Sequence, residues 1–276
     1  MKVLKIAVAI VVFALLTIIT QVGGLVFLIS LLTFGFIEKK INGRFLRLGA
    51  KLFSFFALYL LFTLAIVPLV AKPFGRVPLP IVEKNHVQPA NLLTCLLNRN
   101  YVRPPLRDIA CSVAISMNQK YPGAKVNYLD ANFPFLNKFP LAPHLSHSDG
   151  KKLDLSFQYN NSETGELTND VPSFIGYGVC EVPRAGEENM PAYCDRMGAW
   201  QYSLLQDIVP QDNKSMFTFD NNRNRAMVNF FAAHDRISRM YIEPHLKARL
   251  GLASTKIRFH GCKAVRHDDH LHVQIN

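Results

Sequence analysis

Charge is missing altogether from two long stretches of this 276-residue chain: 32 residues from Ile6 to Ile37 and 20 from Leu52 to Ala71 contain no Asp, Glu, Lys or Arg. About 20 such residues suffice to cross a bilayer as a helix. The length of the first run also argues against a cleaved leader, whose apolar core spans only about 7–15 residues. Acidic residues are nearly absent from the same part of the chain, since residues 1–78 hold nine Lys or Arg and a single Glu. No two cysteines show the close CxxC spacing, which sets aside the common cysteine-rich structural zinc sites. There is no internal repeat and no low-complexity run.

What is present begins with topology. As one helix the first apolar run would be about 48 Å long, well beyond the roughly 30 Å of a hydrocarbon core. It must tilt, protrude or break at Gly23-Gly24. Breaking leaves two short apolar stubs, so one long, kinked helix is expected, with two spans in all and three in the broken version. The segment Glu38 to Lys51 carries Lys39, Lys40, Arg44, Arg47 and Lys51 against one acid, and the positive-inside rule places it in the cytoplasm. Lys2 and Lys5 favour the three-span version, and both versions export everything after Ala71. The net charge of +11 resides largely in residues 1–78, because the remainder balances 22 bases against 19 acids. A polyanion binder needs a basic face on its folded part, so no nucleic-acid partner is expected. The basic loop suits anionic lipid heads instead, and the bilayer is the first expected partner.

Residues 1–71 therefore read as a membrane anchor, the proline-rich residues 72–90 as an extended tether, and residues 91–276 as one exported domain. In that domain Asn91 to Asn98 and Arg107 to Lys120 look helical. Val126 to Leu129 and Lys256 to Phe259 look extended. Met227, Phe230, His234, Ile237 and Tyr241 recur at helical spacing, which predicts a helix over Ala226 to Tyr241 with His234 as a hydrogen-bonded core residue. The expected fold class is α+β, a central antiparallel sheet with helices on one face. Asn160 to Tyr202 is too long for an ordinary connection and reads as a lid or rim. Its Tyr193, Trp200 and Tyr202 either contact a ligand or pin the loop to the domain. All five cysteines fall in the exported part, where disulfides persist. Cys180 with Cys194 and Cys95 with Cys111 are the expected pairs, leaving Cys262, for which a nucleophilic role is the lesser reading.

Five of the nine histidines lie in two short stretches, His144-Leu-Ser-His147 leading to Asp154, and His267-Asp-Asp-His270-Leu-His272. Leu153, Leu155, Phe157 and Tyr159 alternate with Asp154, Ser156 and Gln158, the pattern of a half-buried strand. Leu271, Val273 and Ile275 alternate in the same way with His270, His272 and Gln274. His270 and His272 then share one strand face about 7 Å apart. Two imidazoles and a carboxylate can converge across neighbouring strands, and His147, Asp154 and His272 are the candidate ligands of an open zinc site with a fourth position free. His144, His267 and His270 remain for supporting or proton-transfer work. The bland alternative is a chance cluster that binds metal adventitiously.

The order His-x6-Asp followed far downstream by His-x-His resembles the metallopeptidase group of lysostaphin, D-Ala-D-Ala carboxypeptidase and the hedgehog signalling domain. It is most similar to the penicillin-insensitive murein endopeptidases, whose pattern also has histidines at the places of His144 and His267 and a glycine at that of Gly150. The resemblance implies zinc on His147, Asp154 and His272, catalysis by His270 with His267 orienting or sharing its role, and support from His144. It implies hydrolysis of an amide in peptidoglycan stem peptides or cross-links, by an enzyme held in a bacterial inner membrane with its domain periplasmic or extracellular. Two alternatives stand beside it: a zinc-stabilised binding module without turnover, and a membrane peptidase acting on proteins. A divalent metal other than zinc also suits this donor set.

Overall fold

A computed structural model describes residues 2–276. The first apolar run is broken: α1 (Lys2–Thr20) and α2 (Gly23–Lys40) are separate helices, joined through Gln21, whose φ is 64°. This corrects the expected single kinked helix. Including Lys2 to Lys5 and extending to Lys40 lengthens the stubs to 19 and 18 residues, and two glycines let the helices close on each other. A Cβ on Gly24 would stand 2.7 Å from the Phe13 carbonyl oxygen, an approach only a small residue permits. The Gly23 N–H donates to Thr20 Oγ1 at 2.7 Å.

α2 turns back into α3 (Arg44–Leu61), with Thr33 Oγ1 and Ser54 Oγ 2.7 Å apart and Lys51 paired to Glu38 at the hairpin end. A π-helical stretch, Phe62–Ile66, and a last turn, Val67–Val70, carry the helix on. Val3–Thr20 and Arg44–Val70 are long and apolar enough to cross a membrane, and their side chains are mostly exposed. The α2 helix instead ends on the charged Glu38-Lys39-Lys40.

Beyond Ala71 the chain is a mixed α+β domain. Its main sheet comprises β1 (Val87–Pro89), β2 (Val126–Tyr128), β3 (Lys152–Ser156), β4 (Ile237–Tyr241), β5 (Ile257–Arg258) and β6 (His270–Ile275). The spatial order is β5-β4-β6-β3-β2-β1. The inner pairings are antiparallel, whereas β5 with β4 and β1 with β2 are parallel. The sheet is therefore mixed rather than antiparallel throughout. Each parallel pair needs a crossover. That between β1 and β2 contains α4 (Pro104–Lys120), and that between β4 and β5 contains the short helix Pro244–Arg249. The proline pair Pro104-Pro105 opens α4, where a missing N–H costs nothing.

One sheet face is the core. Leu153, Leu155, Leu271 and Val273 are fully buried against Ile109 and Val113 of α4 and Met227 and Phe231 of α5 (Asn221–Ala233). The helix expected over Ala226 to Tyr241 thus ends at Ala233, and Ile237–Tyr241 is the inner strand β4. His234 sits half-buried at the helix end, its carbonyl accepting from Lys256 Nζ at 2.8 Å, rather than in the core.

Residues 72–90 do not form a free tether. Val77–Pro78 pairs with Tyr101–Val102, and Val87–Pro89 is the edge strand β1. Arg76, Leu79 and Val87 are buried. The Arg76 guanidinium donates to the carbonyls of Phe133, Leu136 and Ser148 and to Asn137 Oδ1. It thereby ties the membrane-proximal segment to the loop that carries His144 and His147. Gln21 Oε1 accepts from the Phe135 N–H at 2.8 Å, and Phe74 packs on the Phe135 ring.

Candidate metal centre

The strand alternation decides which side chains meet. β6 pairs with β3 in a register that sets His272 opposite Asp154, Leu271 opposite Leu155 and His270 opposite Ser156. With Leu155 and Leu271 committed to the core, Asp154, His270 and His272 emerge together on the other face. His147 joins them from the loop before β3. Gly150, at φ 81°, turns the chain into that strand, and its N–H donates to Asn132 Oδ1 at 3.0 Å.

The three donor groups converge closely. His272 Nδ1 lies 2.8 Å from Asp154 Oδ1, His147 Nε2 lies 3.3 Å from the same oxygen, and the two nitrogens are 3.1 Å apart. His147 Nδ1 donates to the Ala131 carbonyl at 2.6 Å, which leaves Nε2 as the lone-pair nitrogen facing the cluster. Asp154 is fully buried, and its Oδ2 accepts from the Tyr177 hydroxyl at 2.9 Å. Burial pushes the Asp154 carboxyl up, but the nearby His147 and His270 and the hydrogen bond from His272 outweigh it. The group is held well below the usual carboxylate range. Burial brings His272 down to about 4 despite Asp154, so its imidazole is neutral at pH 7.

The remaining histidines surround this cluster. His270 Nε2 is 3.8 Å from Asp154 Oδ2, while its Nδ1 is 2.5 Å from Asp269 Oδ1. Burial alone would lower His270, but the Asp269 and Asp154 charges raise it to about 9. His144 Nδ1 lies 3.0 Å from Asp130 Oδ2 and 3.7 Å from Asp154 Oδ2. The His267 ring packs on that of His270 with centroids 4.8 Å apart. Burial and the neighbouring His270 and His272 hold it well below 6.5. Asp269 serves His270, whereas Asp268 pairs with Arg266 at 2.6 Å.

His144, His147, His267, His270 and His272 line a cleft of about 510 Å³ that Trp200, Leu204, His260 and Lys263 also border. Of the three aromatics singled out in the long insertion, Trp200 is 73% exposed at the cleft rim and Tyr193 is also exposed, whereas Tyr202 is buried and pinned to the domain. The insertion is held by a disulfide between Cys194 and Cys262, with Cys95, Cys111 and Cys180 free. Both expected pairings are corrected. Cys180 is buried beside its own Gly178 carbonyl, and the Cys95 Sγ contacts Tyr128 Oη at 3.1 Å. Cys262 is also removed as a nucleophile.

Tyr177, Asp130 and His260 are site residues that sequence reasoning missed. His260 stacks on Tyr241 of β4 with ring centroids 4.0 Å apart, and the only sequence signal for it is its place just beyond β5.

The donor set suits a divalent cation. Two imidazole nitrogens and a carboxylate leave room for a fourth ligand. Around them His144 Nε2, His270 Nε2 and His272 Nε2 are buried with no hydrogen-bond partner among the described residues, a costly arrangement unless something polar occupies the space they face. The chain matches no protein-family model and no curated protein.

Proposed function

We propose that the chain is a membrane-anchored, zinc-dependent peptidase that hydrolyses amide bonds in peptidoglycan stem peptides or cross-links on the outer side of a bacterial inner membrane. The observation that carries this reading is the convergence of His147, Asp154 and His272, with both histidines lining a cleft, beside a His270 whose Nε2 has no hydrogen-bond partner among the described residues. Two apolar helices support the anchor. The hairpin geometry supports the side, because it gathers Lys39, Lys40, Arg44, Arg47 and Lys51 at the end away from the domain, where the positive-inside rule puts the cytoplasm.

His147, Asp154 and His272 would hold the metal, with Tyr177 and the Ala131 carbonyl fixing two of them in orientation. When bound, zinc supplies Lewis acidity that lowers the pKa of water toward about 7. His270, whose raised affinity for its proton a cation held beside Asp154 would offset, would take the proton of the attacking water at Nε2 and return it to the departing amine. Asp269, on the opposite ring nitrogen, keeps Nε2 turned to the cleft and stabilises the charged imidazole. His267 stays neutral and packs against His270, restricting its rotation. Trp200 and Lys263 border the path by which a substrate enters.

Mass spectrometry of purified muropeptides incubated with the detergent-solubilised chain, with and without chelator, tests this reading. Chelator-sensitive cleavage is expected. Cleavage of all-L peptides in place of muropeptides would move the substrate to proteins, and a folded, zinc-loaded chain inert on both would make the site a binding module.

A further inference from the structure

Asp154 presents two oxygens to two different pairs of histidines. Oδ1 faces His147 Nε2 and His272 Nδ1 at 3.3 and 2.8 Å. Oδ2 faces His144 Nδ1 and His270 Nε2 at 3.7 and 3.8 Å. The second set is as enclosed as the first, with His144, Asp154 and His270 at 5%, 0% and 1% exposure. Its donor atoms all lie within 4.8 Å of one another, and His270 Nε2 has no hydrogen-bond partner among the described residues. Asp130, whose Oδ2 is 3.0 Å from His144 Nδ1, adds a second carboxylate.

We infer that His144, Asp154 and His270 form a second divalent-cation site, sharing Asp154 with the first and filled only at higher metal concentration. This rests on the first cluster being a metal centre. Imidazole and carboxylate together suit zinc and its first-row neighbours. The second site is the weaker for three reasons. Asp154 Oδ2 already accepts from the Tyr177 hydroxyl at 2.9 Å. His144 Nδ1 is engaged with Asp130, so binding there must displace its proton to Nε2 or to solvent. Two cations on one carboxylate also repel each other. Occupancy has a functional meaning, because a His270 Nε2 that ligates metal carries no proton. Excess metal therefore inhibits the reaction that the first ion supports.

The test is equilibrium dialysis of the metal-stripped full chain in detergent against rising free zinc, with zinc per chain read by elemental analysis. One ion is expected at low zinc and a second at high zinc. His144→Ala should stop at one ion, and its retained tight ion certifies that the variant is folded. Tyr177→Phe frees Asp154 Oδ2 and should lower the zinc concentration that half-fills the second site about fivefold, the factor one hydrogen bond is worth. Saturation of the wild type at one ion, or a second ion that persists unchanged in His144→Ala, overturns the proposal and leaves the first site standing. A chain that binds no zinc overturns both.

Discussion

The two faces of the β3–β6 pair are equally dry and are held in opposite ways. Leu153, Leu155, Leu271 and Val273 on one side, and Asp154, His270 and His272 on the other, are all at most 2% exposed. The first face is stabilised by apolar area removed from water, at roughly 25 cal/mol per Å², and tolerates any occupant of similar shape. The second gains little from burial, because each charge or imidazole taken from water must recover its solvation through a neighbour. A period of two residues thus assigns stability to one side of a strand and chemistry to the other. Substitutions on the two faces should fail in different ways.

The largest effect is expected from the ligands. Asp154→Ala or His147→Ala should abolish tight metal binding and turnover while leaving a folded chain, as read by metal analysis and circular dichroism together. Next comes His270→Ala, which should keep the tight ion and lower kcat by about 10²–10⁴, the usual worth of a general acid–base group. Unchanged turnover in that variant would remove His270 from the mechanism. On the other face, Leu155→Ala should cost about 2–5 kcal/mol of stability with metal affinity unaltered in the folded fraction. A loss of metal binding there without a loss of stability would break the division between the faces.

Glu243 sharpens the comparison, since it is fully buried at the end of β4, where its Oε1 accepts from the His267 N–H at 3.1 Å. Burial and the Asp268 charge push its carboxyl up to about 7. The folded chain therefore holds this proton more tightly than the unfolded chain does, and stability should fall as pH rises from about 4.5 through 7. Glu243→Gln should remove that slope and gain about 3 kcal/mol at pH 8, measured as Tm against pH in the metal-loaded protein. The smallest of these effects is expected from Asp269→Asn, about 10- to 100-fold in turnover, with metal content unchanged.

The two faces were legible in advance because alternation survives in the sequence wherever a strand has distinct sides. The partners Tyr177 and Asp130 lie in irregular loops with no period to betray them, and only folding brings them to Asp154. The strand Ile237–Tyr241 was hidden by apolar residues that also fit a helical spacing, and the short edge strand Val87–Pro89 by the prolines around it. With those two unread, the parallel edges of the sheet could not be inferred. The break at Gln21 was obscured because charge-free length alone undercounted each helix. The disulfide depended on loop placement, to which cysteine spacing is blind.

The folding of residues 72–90 turns what reads as a leash into a pedestal. Arg76 and Phe74 grip the loop that delivers His147, and Gln21 reaches it from the turn between α1 and α2. With those helices in a bilayer, the cleft stands at a fixed height and orientation above the lipid surface. On the peptidase reading proposed above, a cleft mounted in this way selects by altitude as well as by chemistry, because a bond that never comes down to that level is never cut.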